Sequence, residues 1–101
     1  MMAAFKAVFL AVVMLLGGDH CEASWYARGL PSPDAMTAAS RKYPRGSWLL
    51  VIHGARFVVV KVNDYGPEAW TGRGLDLSRG AARQLGLLSK GFGTVIIIKI
   101  L

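Results

Sequence analysis

Two aspartates in this chain stand where a carboxylic acid could take part in chemistry. Asp64 follows the apolar run of residues 58–62 and precedes Gly66 and Pro67. Burial of that run would leave the Asp64 carboxyl partly desolvated, and a carboxyl in such surroundings keeps its proton and can act as a general acid. The alternative is an Asx-type turn with Gly66 and Pro67, in which the side chain hydrogen-bonds the backbone of that turn. The position alone leaves both interpretations open.

Asp76 lies between two leucines, directly before Ser78, which is a typical helix N-cap residue. We expect Asp76 to have mainly a structural role, in which it hydrogen-bonds the backbone or an arginine. The remaining acids of residues 24–101 are Asp34 and Glu68, and both lie in predicted loops. Asp34 is expected to be a solvated turn residue, with a role in the site as the alternative, and Glu68 is expected to be exposed.

The sequence predicts no metal site and no cofactor. The only cysteine is Cys21, and the only histidines are His20 and His53. These are too few and too scattered to supply the three or four nitrogen and sulfur ligands of a zinc site. A single cysteine also excludes an intramolecular disulfide.

The first 23 residues have the order of a secretory signal peptide. Lys6 supplies a positive charge, residues 7–16 are unbroken apolar sequence, and a small residue, Ala23, precedes the predicted cleavage point. The run is shorter than the roughly 20 residues that span a bilayer. An uncleaved membrane anchor and lipidation at Cys21 remain as alternatives. We therefore expect export to the periplasm or cell envelope, with membrane contact only through an uncleaved signal peptide.

The predicted mature domain, residues 24–101, is strongly basic. Removal of Lys6, Asp19 and Glu22 reduces the 12 Lys and Arg to 11 and the 6 Asp and Glu to 4, a net charge of +7. This charge favours an anionic partner. Charge alone also permits nucleic acid, but an exported protein meets envelope polymers instead, so no nucleic-acid partner is expected. We expect a monomer.

The mature sequence predicts five or six short strands and one helix. Residues 47–52 and 56–62 are β-branched and apolar on either side of His53-Gly54, which predicts a hairpin. Residues 94–101 are nearly all apolar, which predicts a strand buried on both faces. A helix is expected between Ser78 and Gly86. Further strand candidates are residues 24–27 and 75–77, and residues 35–40 are ambiguous. Closure into a small barrel would bury these strands and remove their edges.

Several motifs occur in an order that resembles the rare lipoprotein A family. They are SWYA from Ser24, MTAAS from Met36, VVVKVNDYGP from Val58 and GRGLDLSRGAARQLG from Gly72. The resemblance covers nearly all of residues 24–101. It implies a mainly β fold, a six-stranded double-psi β-barrel with one short helix. It also implies a secreted lytic transglycosylase that acts on peptidoglycan glycan strands, with Asp64 as the acid.

The implied reaction needs only one carboxyl. The acid protonates the leaving glycosidic oxygen, and the 6-hydroxyl of the muramic acid closes on its own anomeric carbon to give a 1,6-anhydro end. The same carboxyl then accepts the proton of that hydroxyl, whereas hydrolases normally add a second carboxylate. A chain with few acids is compatible with this chemistry.

The predicted substrate-binding residues surround Asp64. They are Tyr26, Ser40, Asn63, Tyr65, Arg73 and Asp76. Tyr26 and its neighbour Trp25 point to opposite sides of a strand, and we expect Tyr26 to face a groove and stack on a sugar. Arg73 is expected either to bind a muramic lactyl carboxylate through its planar fork or to pair with Asp76.

Three departures from the family pattern fall at the predicted site. Ser40 stands where a histidine is usual, Tyr65 stands where an arginine is usual, and the loop before residue 35 has no glutamate. These departures favour a competing interpretation, a non-catalytic glycan-binding module that acts on the wall as expansins do. A basic envelope-binding module with no sugar site is a third interpretation.

Overall fold

The computed structural model describes residues 18–101, which form a closed six-stranded barrel. In chain order the strands are β1 (Asp19–Tyr26), β2 (Thr37–Ser40), β3 (Trp48–His53), β4 (Arg56–Asp64), β5 (Leu75–Ser78) and β6 (Phe92–Lys99). Around the barrel their order is β1-β5-β2-β4-β3-β6. One α-helix, α1 (Arg79–Leu85), follows β5, and a short 3-10 helix (Ala69–Thr71) precedes it. The predicted small barrel with one helix is confirmed.

Two strand pairs are parallel, β1 with β5 and β2 with β4, and the other four pairs are antiparallel. The predicted hairpin is β3 with β4, in register from Trp48↔Lys61 to His53↔Arg56. Its alternation is as expected. Val58, Val60 and Val62 are buried in the barrel, while the residues between them are exposed.

The prediction that the last strand is buried on both faces is wrong. In β6 the side chains of Val95 and Ile97 are buried, whereas Ile96 and Ile98 are only half-buried on the outer face. The strand is not an edge, because it pairs with both β1 and β3. A barrel has a single apolar interior, so a fully paired strand still turns alternate residues outward.

Helix α1 begins and ends where its sequence predicts. The Ser78 hydroxyl caps the N-terminus by accepting from the Ala81 amide, and Gly86 ends the helix with a left-handed φ of 75°. The helix buries Ala81, Ala82 and Leu85 in the same core as the barrel strands. Its position directly after β5 fixes the strand that carries Asp76.

The predicted signal peptide falls mostly on residues 1–17, which lie outside the described residues. Residues 19–23 belong to β1, where they pair with β6 from Asp19↔Ile97 to Ala23↔Gly93. Ala23 is fully buried. Cleavage after Ala23 stays a prediction. Among residues 18–101, no helix is long and apolar enough to cross a membrane.

Candidate active site

A polar groove with a volume of about 520 Å³ opens beside the ends of β1 and β4 and above β5. It brings together five of the residues predicted for the site, namely Tyr26, Asp64, Tyr65, Arg73 and Asp76. Three carboxylates line it, because Glu68 joins the two aspartates, and two arginines face them, Arg28 and Arg73. The groove therefore combines acids, cations and aromatic rings.

Asp76 occupies the more enclosed part of this groove. Leu75 and Leu77 on either side of it are fully buried, and β5 is paired on both edges, with β1 and β2. The Ser24 hydroxyl donates to Asp76 Oδ1 at 3.1 Å. Burial raises the pKa of the Asp76 carboxyl above its usual value, and the Ser24 hydrogen bond and the charge of Arg73 only partly oppose this increase. Asp76 therefore holds a proton more readily than an ordinary aspartate.

Asp64 lies at the exposed end of β4. Its side chain is 64% exposed and lies 3.5 Å from the Arg45 guanidinium. Its Oδ1 also accepts a hydrogen bond from the Tyr65 amide at 2.8 Å. The register of β4 with β3 ends at Lys61, so no β3 residue shields the end of β4. The partly desolvated surroundings predicted for Asp64 are absent. Within the described residues its carboxylate accepts from the amide of the next residue, Tyr65, and not from that of Gly66, as an Asx turn would require.

Arg73 is held in the groove by three contacts. Its carbonyl accepts from Arg41 Nη1 at 3.1 Å, its amide donates to Thr71 Oγ1 at 3.2 Å, and its guanidinium carbon lies 5.3 Å from the centre of the Phe92 ring. The contact ion pair with Asp76, one of the two alternatives for Arg73, is not formed: no acid among residues 18–101 lies within 4.0 Å of the Arg73 guanidinium nitrogens.

Aromatic side chains line the groove as alternation predicts. Tyr26 is half-buried and faces the groove, where its hydroxyl hydrogen-bonds Thr37 Oγ1 at 3.3 Å, while Trp25 packs against the core. Burial raises the pKa of the Tyr26 phenol, so it stays neutral. Tyr65 lies on the rim and is 72% exposed. Either ring offers an apolar face to a sugar.

The structure does not bring Ser40 or Asn63 into the groove. Ser40 is buried, and its hydroxyl accepts from the amides of Lys42 and Tyr43 at 3.1 and 2.9 Å, which closes the turn after β2. Asn63 is exposed outside the groove lining. Ser40 therefore has a structural role in this conformation.

Two contributors to the site were missed at the level of sequence. Ser24 lies two residues before Tyr26 on β1, so the period-2 rule places both on one side of the strand. That spacing was the available signal. Arg41 donates to the carbonyls of Pro67 and Arg73 and so ties the loop after β4 to the end of β2. No local pattern indicated this contact, because it joins residues far apart in the chain.

No group of three or more His, Cys, Asp or Glu side chains suited to a metal ion occurs within residues 18–101. Cys21 is a free thiol whose pKa burial raises to about 11, so it remains protonated at neutral pH. The chemistry available in the groove is thus that of carboxyl, hydroxyl, guanidinium and aromatic groups.

Residues 20–97 match the family model described as lytic transglycolase. A protein from Nostoc sp., named probable endolytic peptidoglycan transglycosylase RlpA, is 47% identical over 68 residues, which is 65% of this chain and 18% of that protein. A protein of the same name from Synechocystis sp. is 39% identical over 87 residues, which is 74% of this chain and 27% of that protein. The chain thus spans about a fifth to a quarter of the length of these curated relatives.

Solved structures share the architecture. The apo expansin of Clavibacter michiganensis is similar with a TM-score of 0.68 at 24% identity, over 83% of this chain and 50% of that chain. Cerato-platanin 3 from M. perniciosa is similar with a TM-score of 0.64 at 10% identity, over 82% of this chain and 95% of that chain. At such identities the likeness shows the fold alone. Together with the matched family, it confirms the predicted six-stranded double-psi β-barrel.

Proposed function

The chain belongs to the lytic transglycolase family, and on that premise we propose that it cleaves the glycan strands of peptidoglycan in the cell envelope. The family resemblance drawn from the motifs is thereby confirmed. Relatives that match this chain carry the name endolytic peptidoglycan transglycosylase. The observation that carries the proposal is the presence of Asp64 and Asp76 in one groove with two tyrosines and two arginines.

In this proposal proton donation and proton acceptance, both assigned to Asp64 from the sequence, are carried out by two different carboxyls. Asp76 is the proton donor, because burial raises the pKa of its carboxyl and a general acid must hold a proton near the working pH. Asp64 is the proton acceptor, because its carboxylate is open to the groove and to solvent, where it can exchange the proton afterwards.

The proposed cleavage proceeds without water as a reactant. Asp76 gives its proton to the glycosidic oxygen, and the bond between that oxygen and the anomeric carbon of muramic acid breaks. The 6-hydroxyl of the same sugar forms the new bond to the anomeric carbon and passes its proton to Asp64. The products are a free 4-hydroxyl end and a 1,6-anhydro end, and solvent restores the protons of both aspartates.

The proposal is tested with peptide-free glycan strands and mass spectrometry. The wild-type protein should release 1,6-anhydro ends, and Asp64→Asn and Asp76→Asn should each lower the rate by about 10²- to 10⁴-fold, the usual contribution of a general acid or base. Asp34→Asn is the matched control. Asp34 is exposed, lies outside the groove and, within residues 18–101, forms an ion pair with Arg83 alone, at 3.6 Å, so the Asp34→Asn variant should cleave at the wild-type rate.

A non-catalytic glycan-binding module is the second candidate function. It is favoured by the exposure of Asp64, its ion pair with Arg45 and the location of Ser40 outside the groove. On this alternative, wild-type protein forms no anhydro ends on any glycan preparation, and Asp64→Asn binds strands as tightly as wild type. That pair of results would replace the transglycosylase proposal.

A further inference from the structure

The outer surface of the neighbouring strands β4, β3 and β6 is apolar. The register sets their outward side chains next to one another, so that Leu50 lies between Val59 and Ile98. Two aromatic rings belong to the same surface, Trp48 and Phe57, and they are 37% and 68% exposed. A contiguous exposed apolar surface of this kind marks a site of contact with a partner or a membrane. We refer to it as the apolar face, and it consists of the outward side chains of residues 48–52, 57–59 and 96–98.

The apolar face lies on the half of the barrel opposite the groove. Around the ring, β1, β5 and β2 form one half and β4, β3 and β6 form the other. The groove is lined from the first half, by Ser24 and Tyr26 of β1 and Asp76 of β5, and β4 reaches it only through its last residue, Asp64. A partner that covers the apolar face therefore leaves the groove open.

Positive charge accompanies this face. Strands β3, β4 and β6 carry three exposed cations, Arg56, Lys61 and Lys99, and a single acid, Asp64, which lies at the groove. The Lys61 ammonium lies 5.6 Å from the centre of the Trp48 ring, so its aliphatic stem runs along the apolar surface. An apolar centre with cations beside it complements a membrane surface, where acyl chains lie beneath anionic headgroups.

The chain enters the barrel at the edge of the same face. Asp19, the first residue of β1, pairs with Ile97, whose two neighbours on β6 belong to the apolar face. The unbroken apolar sequence of residues 7–16 precedes Asp19 by only a few residues. A bilayer that receives this sequence would meet the barrel on the side of the apolar face.

We propose that the apolar face docks on the surface of a membrane that contains anionic lipids. Trp48 and Phe57 enter the boundary between headgroups and acyl chains, where aromatic side chains are favoured, and Lys61 and Lys99 contact the lipid phosphates. The groove then points away from the membrane, into the aqueous envelope. This inference goes beyond the proposed cleavage and does not depend on it. It adds a contact made by the barrel itself to the expected contact through an uncleaved signal peptide.

Tryptophan fluorescence locates the docking surface in the full chain. The probe is a vesicle of phosphatidylethanolamine and phosphatidylglycerol with brominated acyl chains, which quench a tryptophan that enters the bilayer. Residues 1–17 contain no tryptophan, Trp25 packs against the core, and Trp70 is 85% exposed next to groove residues. Quenching should therefore be seen in wild-type protein and in Trp70→Phe, and it should be lost in Trp48→Phe.

Cosedimentation with unbrominated vesicles of the same composition measures the strength of docking. Joint replacement of Phe57 and Val59 by threonine keeps residues that suit a strand and should weaken binding by about tenfold, because less apolar surface is buried in the membrane. Lys61→Gln and Lys99→Gln should each weaken it by about threefold to fivefold, and added salt should do the same. Trp70→Thr removes a highly exposed ring outside the apolar face and is the matched control, with binding unchanged. Thermal melting shows that each variant is folded.

Four results would overturn the proposal. One is the absence of vesicle binding by the full chain. Another is binding without quenching of Trp48, which would place the contact in residues 1–17 alone. The third is binding of the Phe57 and Val59 double variant at wild-type strength. The last is a dimer in sedimentation velocity without lipid that the same double variant dissociates, because the apolar face would then be covered by a second copy of the chain.

Discussion

The wall of the barrel at β5 and the rim at the end of β4 each carry an aspartate, and they place its side chain in two different environments. Asp76 lies in a strand paired on both edges and flanked by two fully buried leucines. Asp64 lies at the end of β4, beyond the last residue that pairs with β3, and its side chain is 64% exposed. Strand pairing, rather than the apolar residues that precede an aspartate, decides how much water its carboxyl meets.

This difference explains why two acids can share one groove without sharing a role. The wall supplies an enclosed carboxyl whose pKa is raised, and the rim supplies a carboxylate that solvent reaches. Asp76 accepts a hydrogen bond from Ser24, whereas Asp64 contacts the amide of the next residue and the exposed side chain of Arg45. An acid and a base for one reaction require such unequal surroundings.

The largest effect on stability should come from truncation in the wall. Leu77 is fully buried beside Asp76, so Leu77→Ala removes core contacts and leaves a cavity that should cost about 2 to 5 kcal/mol. Tyr65→Ala at the rim removes a ring that is 72% exposed and should cost less than about 0.5 kcal/mol. Urea unfolding measures both. Similar costs for the two variants would show that the rim is packed as tightly as the wall.

A second effect concerns the hydroxyl that joins β5 to its surroundings. Ser78 Oγ donates to the Ala35 carbonyl at 2.6 Å and accepts from the amides of Thr37 and Ala81 at 3.1 and 3.4 Å. Ser78→Ala removes the helix cap and leaves these groups without that partner, which should cost about 1 to 3 kcal/mol. Ser47→Ala removes the hydroxyl of another buried serine, one that makes no side-chain hydrogen bond within residues 18–101, and serves as the control. A Ser78→Ala protein with wild-type unfolding would refute the bridging role.

A third effect depends on pH and has opposite signs for two aspartates. The pKa of Asp76 is raised in the folded state, so the folded protein binds more protons and loses stability as pH rises from the unfolded to the folded pKa. Asp76→Asn should therefore gain stability relative to wild type as pH rises through that window.

Asp19 is the counterpart in the same experiment. Its pKa is lowered, chiefly by the hydrogen bond from Lys42, so its contribution is present above the unfolded pKa and is lost as pH falls toward the folded value. In the uncleaved chain, which keeps Asp19, the Asp19→Asn variant should lose stability relative to wild type near neutral pH and match it in strong acid. Urea unfolding over a pH series measures both variants. Parallel curves for the two variants would contradict the assignment of their environments.

The smallest effect should come from the rim ion pair. Arg45 and Asp64 are 71% and 64% exposed in their side chains, so solvent screens their attraction. Arg45→Gln should change the free energy of unfolding by less than about 0.5 kcal/mol. A cost above about 1 kcal/mol would mean that the end of β4 is held by this contact and that the rim is less open than its exposure indicates.

Local patterns predicted the parts of the fold that depend on neighbouring residues. The β3–β4 hairpin followed from two β-branched runs across a short break, and the helix boundaries followed from Ser78 and Gly86. The alternation rule placed Tyr26 toward the groove. These features are set by residues close in sequence, so the sequence specifies them directly.

The errors arose where distant strands decide the environment. The outer face of β6 is half-exposed because a barrel has only one interior, which the composition of a single strand does not reveal. The exposure of Asp64 depends on where β3 ends, and the position of Ser40 depends on a turn that its own hydroxyl closes. The stack of Arg73 on Phe92 joins residues that no local pattern links.

The closure of the barrel has a consequence for the timing of folding. Strand β1 lies between β5 and β6, so the first strand of the barrel obtains both of its neighbours only from the second half of the chain. A chain that is still being synthesised, and has not yet released β6, cannot close the ring. Folding must bring together segments far apart in sequence, which costs loop entropy first and slows the reaction. The barrel is therefore expected to close only after β6 has been synthesised.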